Sequence, residues 1–139
     1  MTNVFTVAAT VKCPVGLDCL AVEITAPANI EIKIKKIRII EGDGTGLAVL
    51  DYYKTIKVVT ESAAGTLGTA YTPIDIDDNN TPAVATVKTG PMGLGTIDKT
   101  IDQLSLHTNT DFYWAASDED DKIVIKPGGI FALQVNTST

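Results

Sequence analysis

Along this chain, apolar positions recur at every second residue far more often than at the three- and four-residue spacing of an amphipathic helix. The clearest run is residues 30–41, IEIKIKKIRIIE, with six isoleucines in twelve residues and neither Gly nor Pro. That composition predicts a central β-strand. Ile30, Ile32 and Ile34 share one pleat face and Ile37 and Ile39 the other, so the apolar set changes sides between Lys35 and Lys36. A one-residue bulge there returns all five to one core-facing side and bends the strand, as a long strand must bend to turn the corner of a sandwich.

Shorter segments follow the same period. Residues 3–12 (NVFTVAATVK) predict a first strand partly covered on both sides, and residues 19–26 (CLAVEITA) a second with Leu20, Val22 and Ile24 inward. Residues 42–46 (GDGTG) form a turn. In residues 47–61 (LAVLDYYKTIKVVTE), Leu47, Leu50 and Tyr53 fit a short helix, while Tyr52, Lys54, Ile56 and Val58 alternate, which favours a strand for the second half. Residues 62–82 are a long polar connection, 83–89 a strand, 90–95 (GPMGLG) a loop, and 96–107 suit either a helical turn or a strand edge. Residues 112–116 (FYWAA) read as strand. The strands 122–126 and 130–135, the latter with Phe131, Leu133 and Val135 inward, form a hairpin about Pro127-Gly128-Gly129. About eight or nine short strands and no long helix predict an all-β fold: one antiparallel β-sandwich or jelly roll over residues 1–139.

Composition narrows the partners. Hydrophobic residues make up 45% and charged residues 20%, the balance of a chain that folds around a core. Seventeen acidic against eleven basic residues give a net charge of −6, which repels phosphate backbones and anionic lipid and argues against nucleic-acid binding. Met1 is followed by Thr2 and Asn3, with no basic leader, and no run of about 18 apolar residues occurs. The expectation is a protein made in the cytoplasm that does not span a membrane.

Candidate chemistry is sparse. Asp75, Asp77 and Asn79 have the alternate spacing of oxygen ligands for Ca²⁺, but Asn80 stands where an EF-hand needs Gly and Thr86 where it needs Glu. A solvated turn capping its own backbone is the competing reading. Asp118, Glu119, Asp120 and Asp121 read as an acidic turn. Cys13 and Cys19 could close a small loop as a disulfide or stand as two free, half-buried thiols, the state expected in a reducing cytosol; with a single histidine they do not make a zinc site. His107, that lone histidine, has Ser105 nearby but no G-x-S-x-G elbow, and GDGTG lacks the P-loop Lys. Tyr113 and Trp114, with Tyr52, Tyr53 and Tyr71, could stack on sugars or simply pack. No catalytic residue and no cofactor is assigned, and the chain is not expected to be an enzyme.

Four segments carry a resemblance: IKKIRII, KTIKVVTESAAGTLGTAYTPIDID, DDNNTPAVATVKTGP and the closing IVIKPGGIFALQV. In this order they resemble a group of small β-sandwich proteins from tailed-bacteriophage structural modules, over roughly residues 30–135. The resemblance implies a virion component, such as a capsid decoration (cement) protein or a head-fibre or tail surface protein, often trimeric and bound to capsid or tail proteins. A carbohydrate-binding β-sandwich, using Tyr and Trp on one face and calcium at Asp75 to Asn79, is the alternative.

Overall fold

The computed structural model describes residues 4–9, 11, 18–39, 53–75, 85–107, 112–118 and 122–137. Twelve strands occur there: β1 (Phe5–Thr6), β2 (Asp18–Thr25), β3 (Ile32–Ile34), β4 (Lys36–Ile39), β5 (Tyr53–Ala63), β6 (Thr69–Tyr71), β7 (Ile74–Asp75), β8 (Thr86–Met92), β9 (Thr96–His107), β10 (Phe112–Ala115), β11 (Ile123–Ile125) and β12 (Ile130–Thr137). All pairings are antiparallel. Among the described residues there is no helix, so none is long and apolar enough to cross a membrane. The all-β sandwich read from the pattern is therefore the fold, with its strands more finely divided than expected.

One layer is a six-stranded sheet in the order β6-β8-β2-β12-β5-β9. The other is an interrupted two-stranded ribbon, in which β4 pairs with β10 and β3 with β11. The isoleucine run supplies one strand of that ribbon, so it lies in the thinner layer, and the central position belongs to β12. Where the pattern predicts a one-residue bulge, the run instead changes partner, from β11 to β10. Strand pairing breaks between β3 and β4 at Lys35, whose carbonyl accepts a hydrogen bond from Ala116 N at 3.0 Å. Ile32 and Ile34 thus pair with Ile125 and Ile123, and Ile37 and Ile39 with Trp114 and Phe112. All four isoleucines join the core. Ile30, the fifth, precedes the ribbon and is 41% exposed.

The core between the layers joins Ile37, Phe112 and Ile125 of the ribbon to Ile56, Val58, Phe131 and Leu133 of the large sheet. Burial of such side chains out of water is the main favourable contribution to folding.

Three expectations need correction. The last two strands do not form a hairpin: β11 pairs with β3 and β12 with β2 and β5. The Pro127 turn instead carries the chain from one layer to the other, with Gly128 at φ 74. It is stitched to the parallel crossing after β2 by Gly128 N to Pro27 O at 2.7 Å and Ala26 N to Gly129 O at 2.9 Å. Residues 90–92 are strand, not loop, because Gly90 has no Cβ to collide with the Leu20 carbonyl, which allows β8 to run on to Met92 beside β2. Finally, Leu20 is on the opposite face from Val22 and Ile24. The pairing shifts between Leu20 and Val22, and Leu20 joins a second cluster with Val59, Met92 and Ala132.

A ribbon locked to the sheet by one face predicts a contrast within the isoleucine run. Ile37→Ala should lower unfolding free energy by about 2–5 kcal/mol in urea titration, and Ile30→Ala by no more than about 0.5 kcal/mol. Equal losses would mean that the ribbon is not the inner wall.

Candidate functional site

The second face of the large sheet holds the least expected group of side chains. Register places Glu23, Ala132 and Val59 in one row across β2, β12 and β5, and Thr25, Ile130 and Glu61 in the next row on the same face. Glu23 is 2% and Glu61 6% exposed. Carboxylates are almost never buried without partners.

What buries them is a flap of two short segments, residues 63–68 after β5 and 93–95 before β9. The segments hold each other through Thr66 and Gly93, whose amides and carbonyls exchange hydrogen bonds of 3.2 and 2.9 Å. The flap is tied to the sheet by Gly65 N, which donates to Glu23 Oε2 at 2.7 Å. Glycine is required at two of its positions by close approach. A Cβ on Gly65 would collide with the Gly93 carbonyl and stand 2.7 Å from Leu20 Cδ1. One on Gly95 would collide with the Ala63 carbonyl and Glu61 Oε2.

Neither oxygen of Glu61 has a hydrogen-bond partner among the described residues, and neither has Gln134 Oε1, which is buried on the same face. Burial first, then the neighbouring Glu23 as hydrogen-bond partner and as like charge, raise the Glu61 pKa from 4.5 to about 7; the Gly95 N–H, outside hydrogen-bond geometry, pulls the other way. A proton on Glu61 resolves the conflict, because its O–H can then donate to the Glu23 carboxylate. The arrangement is thus a carboxylic acid, Glu61, beside a carboxylate.

The residues singled out from the sequence lie elsewhere. Asp75 ends β7 opposite Phe5, and Asp77 and Asn79 lie outside the described residues, as do Glu119, Asp120, Asp121, Tyr52 and the 42–46 turn. Among the described residues no three His, Cys, Asp or Glu side chains gather as metal ligands. His107 ends β9 opposite Tyr53, and Ser105 Oγ lies 3.2 Å from Thr55 Oγ1. Tyr113 is 61% exposed while Trp114, its neighbour on the pleat, packs against the core, so the two do not share a stacking face. Tyr71 Oη accepts from Ala8 N at 3.1 Å. Cys19 is buried and disulfide-bonded, which corrects the free-thiol expectation; the chain's other cysteine, Cys13, lies outside the described residues. Glu61 also lines a cleft of about 290 Å³, together with Thr60, Ile101, Val124, Ile125 and Ile130 and with Asp98, Lys99 and Lys126.

Sequence reasoning passed over Glu23 and Glu61 because each falls at the polar position of an alternating strand. The available signal was the company they keep: small Ala132 in the row of Glu23, and glycines after β5 and before β9. No family model, curated protein or solved structure matches the chain.

The buried acid predicts an inverted pH dependence. The folded chain holds the Glu61 proton to about pH 7 and the unfolded chain only to about 4.5. The stability this confers is complete below about 4.5 and is lost as the pH rises to about 7, by about 3 kcal/mol at most. The urea midpoint should therefore fall between pH 5 and 8, and Glu61→Gln should flatten that slope. An unchanged slope in the variant would remove Glu61 as its source.

Proposed function

We propose that this chain is a non-catalytic docking protein of a virion, a capsid decoration protein that assembles as a trimer and seats the flap side of its large sheet on the shell. The observation that carries this reading is Leu67, at the tip of the flap, which is 91% exposed and held at a φ of 65°. A left-handed backbone costs a non-glycine residue roughly 1–2 kcal/mol. In the free chain an exposed leucine recovers none of that by burial. Strain and exposure combined in one side chain are features of a residue whose partner lies outside the chain.

Two further apolar side chains belong to the same part of the fold. Leu94, in the second flap segment, is 42% exposed, and Ile97, where β9 leaves the flap, is 39% exposed. A surface with an apolar centre is what a structural partner covers. The resemblance of the strand and turn segments to phage β-sandwich proteins supplies the class of partner, and the net charge of −6 disfavours a nucleic-acid one.

The test is co-sedimentation with shells assembled from the major capsid protein encoded in the same genome, alongside light scattering of the free chain. Saturable binding and a trimeric mass are expected, and Leu67→Asp should weaken binding at least tenfold while leaving the melting temperature within a few degrees. Absence of binding to the shells, or binding indifferent to Leu67→Asp, would overturn the reading. Retention on a glycan array lost in Tyr113→Ala would replace it with the carbohydrate-binding alternative.

A further inference from the structure

The ribbon shows the solvent a face unlike the rest of the chain. Its inward positions, Ile32, Ile34, Ile37 and Ile39, belong to the core, so the charged residues between them point out. Residues 33–38 carry four cations and no acid, in a chain whose net charge is −6. Opposite Arg38 stands Tyr113, 61% exposed. Lys33 is ion-paired with Glu31 at 3.9 Å, whereas Lys36 and Arg38 have no ion-pair partner among the described residues. A tyrosine beside an arginine, both in water, is the pairing that anchors protein interfaces.

Elsewhere on the chain, the cleft of about 290 Å³ opens between β9 and β11. The ribbon is two strands wide and the sheet six, and β9 is the sheet's last strand, so the ribbon-side face of β9 is left uncovered. Leu104 pairs with Ile56 of the core and faces the ribbon side, yet it is 41% exposed; Ile101, in the cleft, is 45% exposed. Isoleucine and valine form the walls, and Lys99 and Lys126 stand beside them. Such a cleft suits an aromatic ring, which packs against apolar groups and attracts cations to its face. Asp98, also in the cleft, has no ion-pair partner among the described residues and can receive a guanidinium.

We propose that Tyr113 and Arg38 of one copy dock in the cleft of a second copy, the ring among Ile101, Val124 and Ile130 and the guanidinium on Asp98. This deepens the docking reading at one point, the joining of copies, and rests on it there. A chain cannot fill its own cleft: the rows Arg38–Tyr113 and Lys33–Val124 are five residues apart, about 17 Å along the ribbon. Charge favours a second copy as the occupant. Outside residues 33–38 the chain carries −10, so the basic strip of one copy meets an acidic remainder on the next. Knob and cleft are different surfaces, which makes the contact heterologous, the kind that closes rings such as a trimer. The flap lies on the opposite face of the large sheet from the ribbon, so this contact leaves Leu67 uncovered.

Sedimentation velocity of the full chain over a concentration series tests the contact. The wild type should associate reversibly. Tyr113→Ala and Arg38→Glu should each raise the dissociation constant at least tenfold, with the melting temperature held within a few degrees because both side chains are exposed. Raising sodium chloride from about 0.05 to 0.5 M should weaken the wild type in the same direction. Asp98→Arg alone should also weaken association, and combining it with Arg38→Glu should recover most of the loss, which a merely structural role for either residue would not give. Association unmoved by Tyr113→Ala and Arg38→Glu, or not recovered by the charge exchange, overturns this contact and leaves the joining of copies to another surface. A chain monomeric at every concentration overturns both this contact and the trimer of the docking reading. Binding to shells through Leu67 is measured separately and is touched by neither result.

Discussion

Everything in this fold answers to β12 being buried on both faces. Phe131, Ala132, Leu133 and Gln134 are consecutive and all buried. Since a pleated strand sends alternate side chains to opposite sides, a single covering layer cannot bury four in a row. One face of β12 needs a large apolar surface, because Phe131 and Leu133 project there, and the isoleucine ribbon provides it. The other carries Ala132 and Gln134, one small and one polar, and needs a thin cover. The flap is that cover: its two segments lie close to the sheet and to each other because residues 65, 93 and 95 are glycines. Two coverings of unequal thickness on one sheet account for the main core and the smaller cluster.

The thick side was legible in the sequence and the thin side was not. Five isoleucines with a parity change between Lys35 and Lys36 mark a break in the strand, because burying one face leaves the register no freedom, although the break is a change of partner strand and not the one-residue bulge expected. The strand containing Val22 and Glu23 obeys the same period, and the period places Glu23 in solvent. What overrides it is tertiary: residues more than forty positions away in sequence, at Gly65, close over the carboxylate. Local alternation cannot report a cover made of Ala, Gly and Thr, since these residues carry little apolar signal of their own. Leu20 was misplaced for a related reason. Its burial was evident, but the side it faces depends on a register shift enforced by Gly90 in a different strand. The final hairpin failed on a question of partners: a Pro-Gly-Gly turn between two apolar runs fits a crossing between layers as well as a reversal within one.

The candidate site follows the same division. Asp75, Asp77 and Asn79 drew notice because oxygen ligands at alternate positions are conspicuous in a sequence, whether or not the fold gathers them. Glu23 and Glu61 drew none because they are isolated in sequence, thirty-eight residues apart. Only the sheet, with β12 between their strands, makes them neighbours.

The long edge bears on how such a molecule could meet a partner. β9 runs for twelve residues at one side of the large sheet, and the residues from Thr96 to Ser105 are all exposed. An edge of that length invites strand addition. Against β5, however, its register shifts three times, and it carries Asp98, Lys99 and Asp102. Bulges twist an edge away from a flat partner, and the charges would have to be desolvated by any strand laid beside them. The other edge, β6, is three residues long. Both edges are therefore poor templates for another strand. What the molecule presents instead is side chains, Leu67 above all, on the flap that closes its weaker face. The same segment that shields the acid pair thus carries the most exposed apolar side chain in the described chain, so the forces that seat the flap also set the angle at which that leucine is offered.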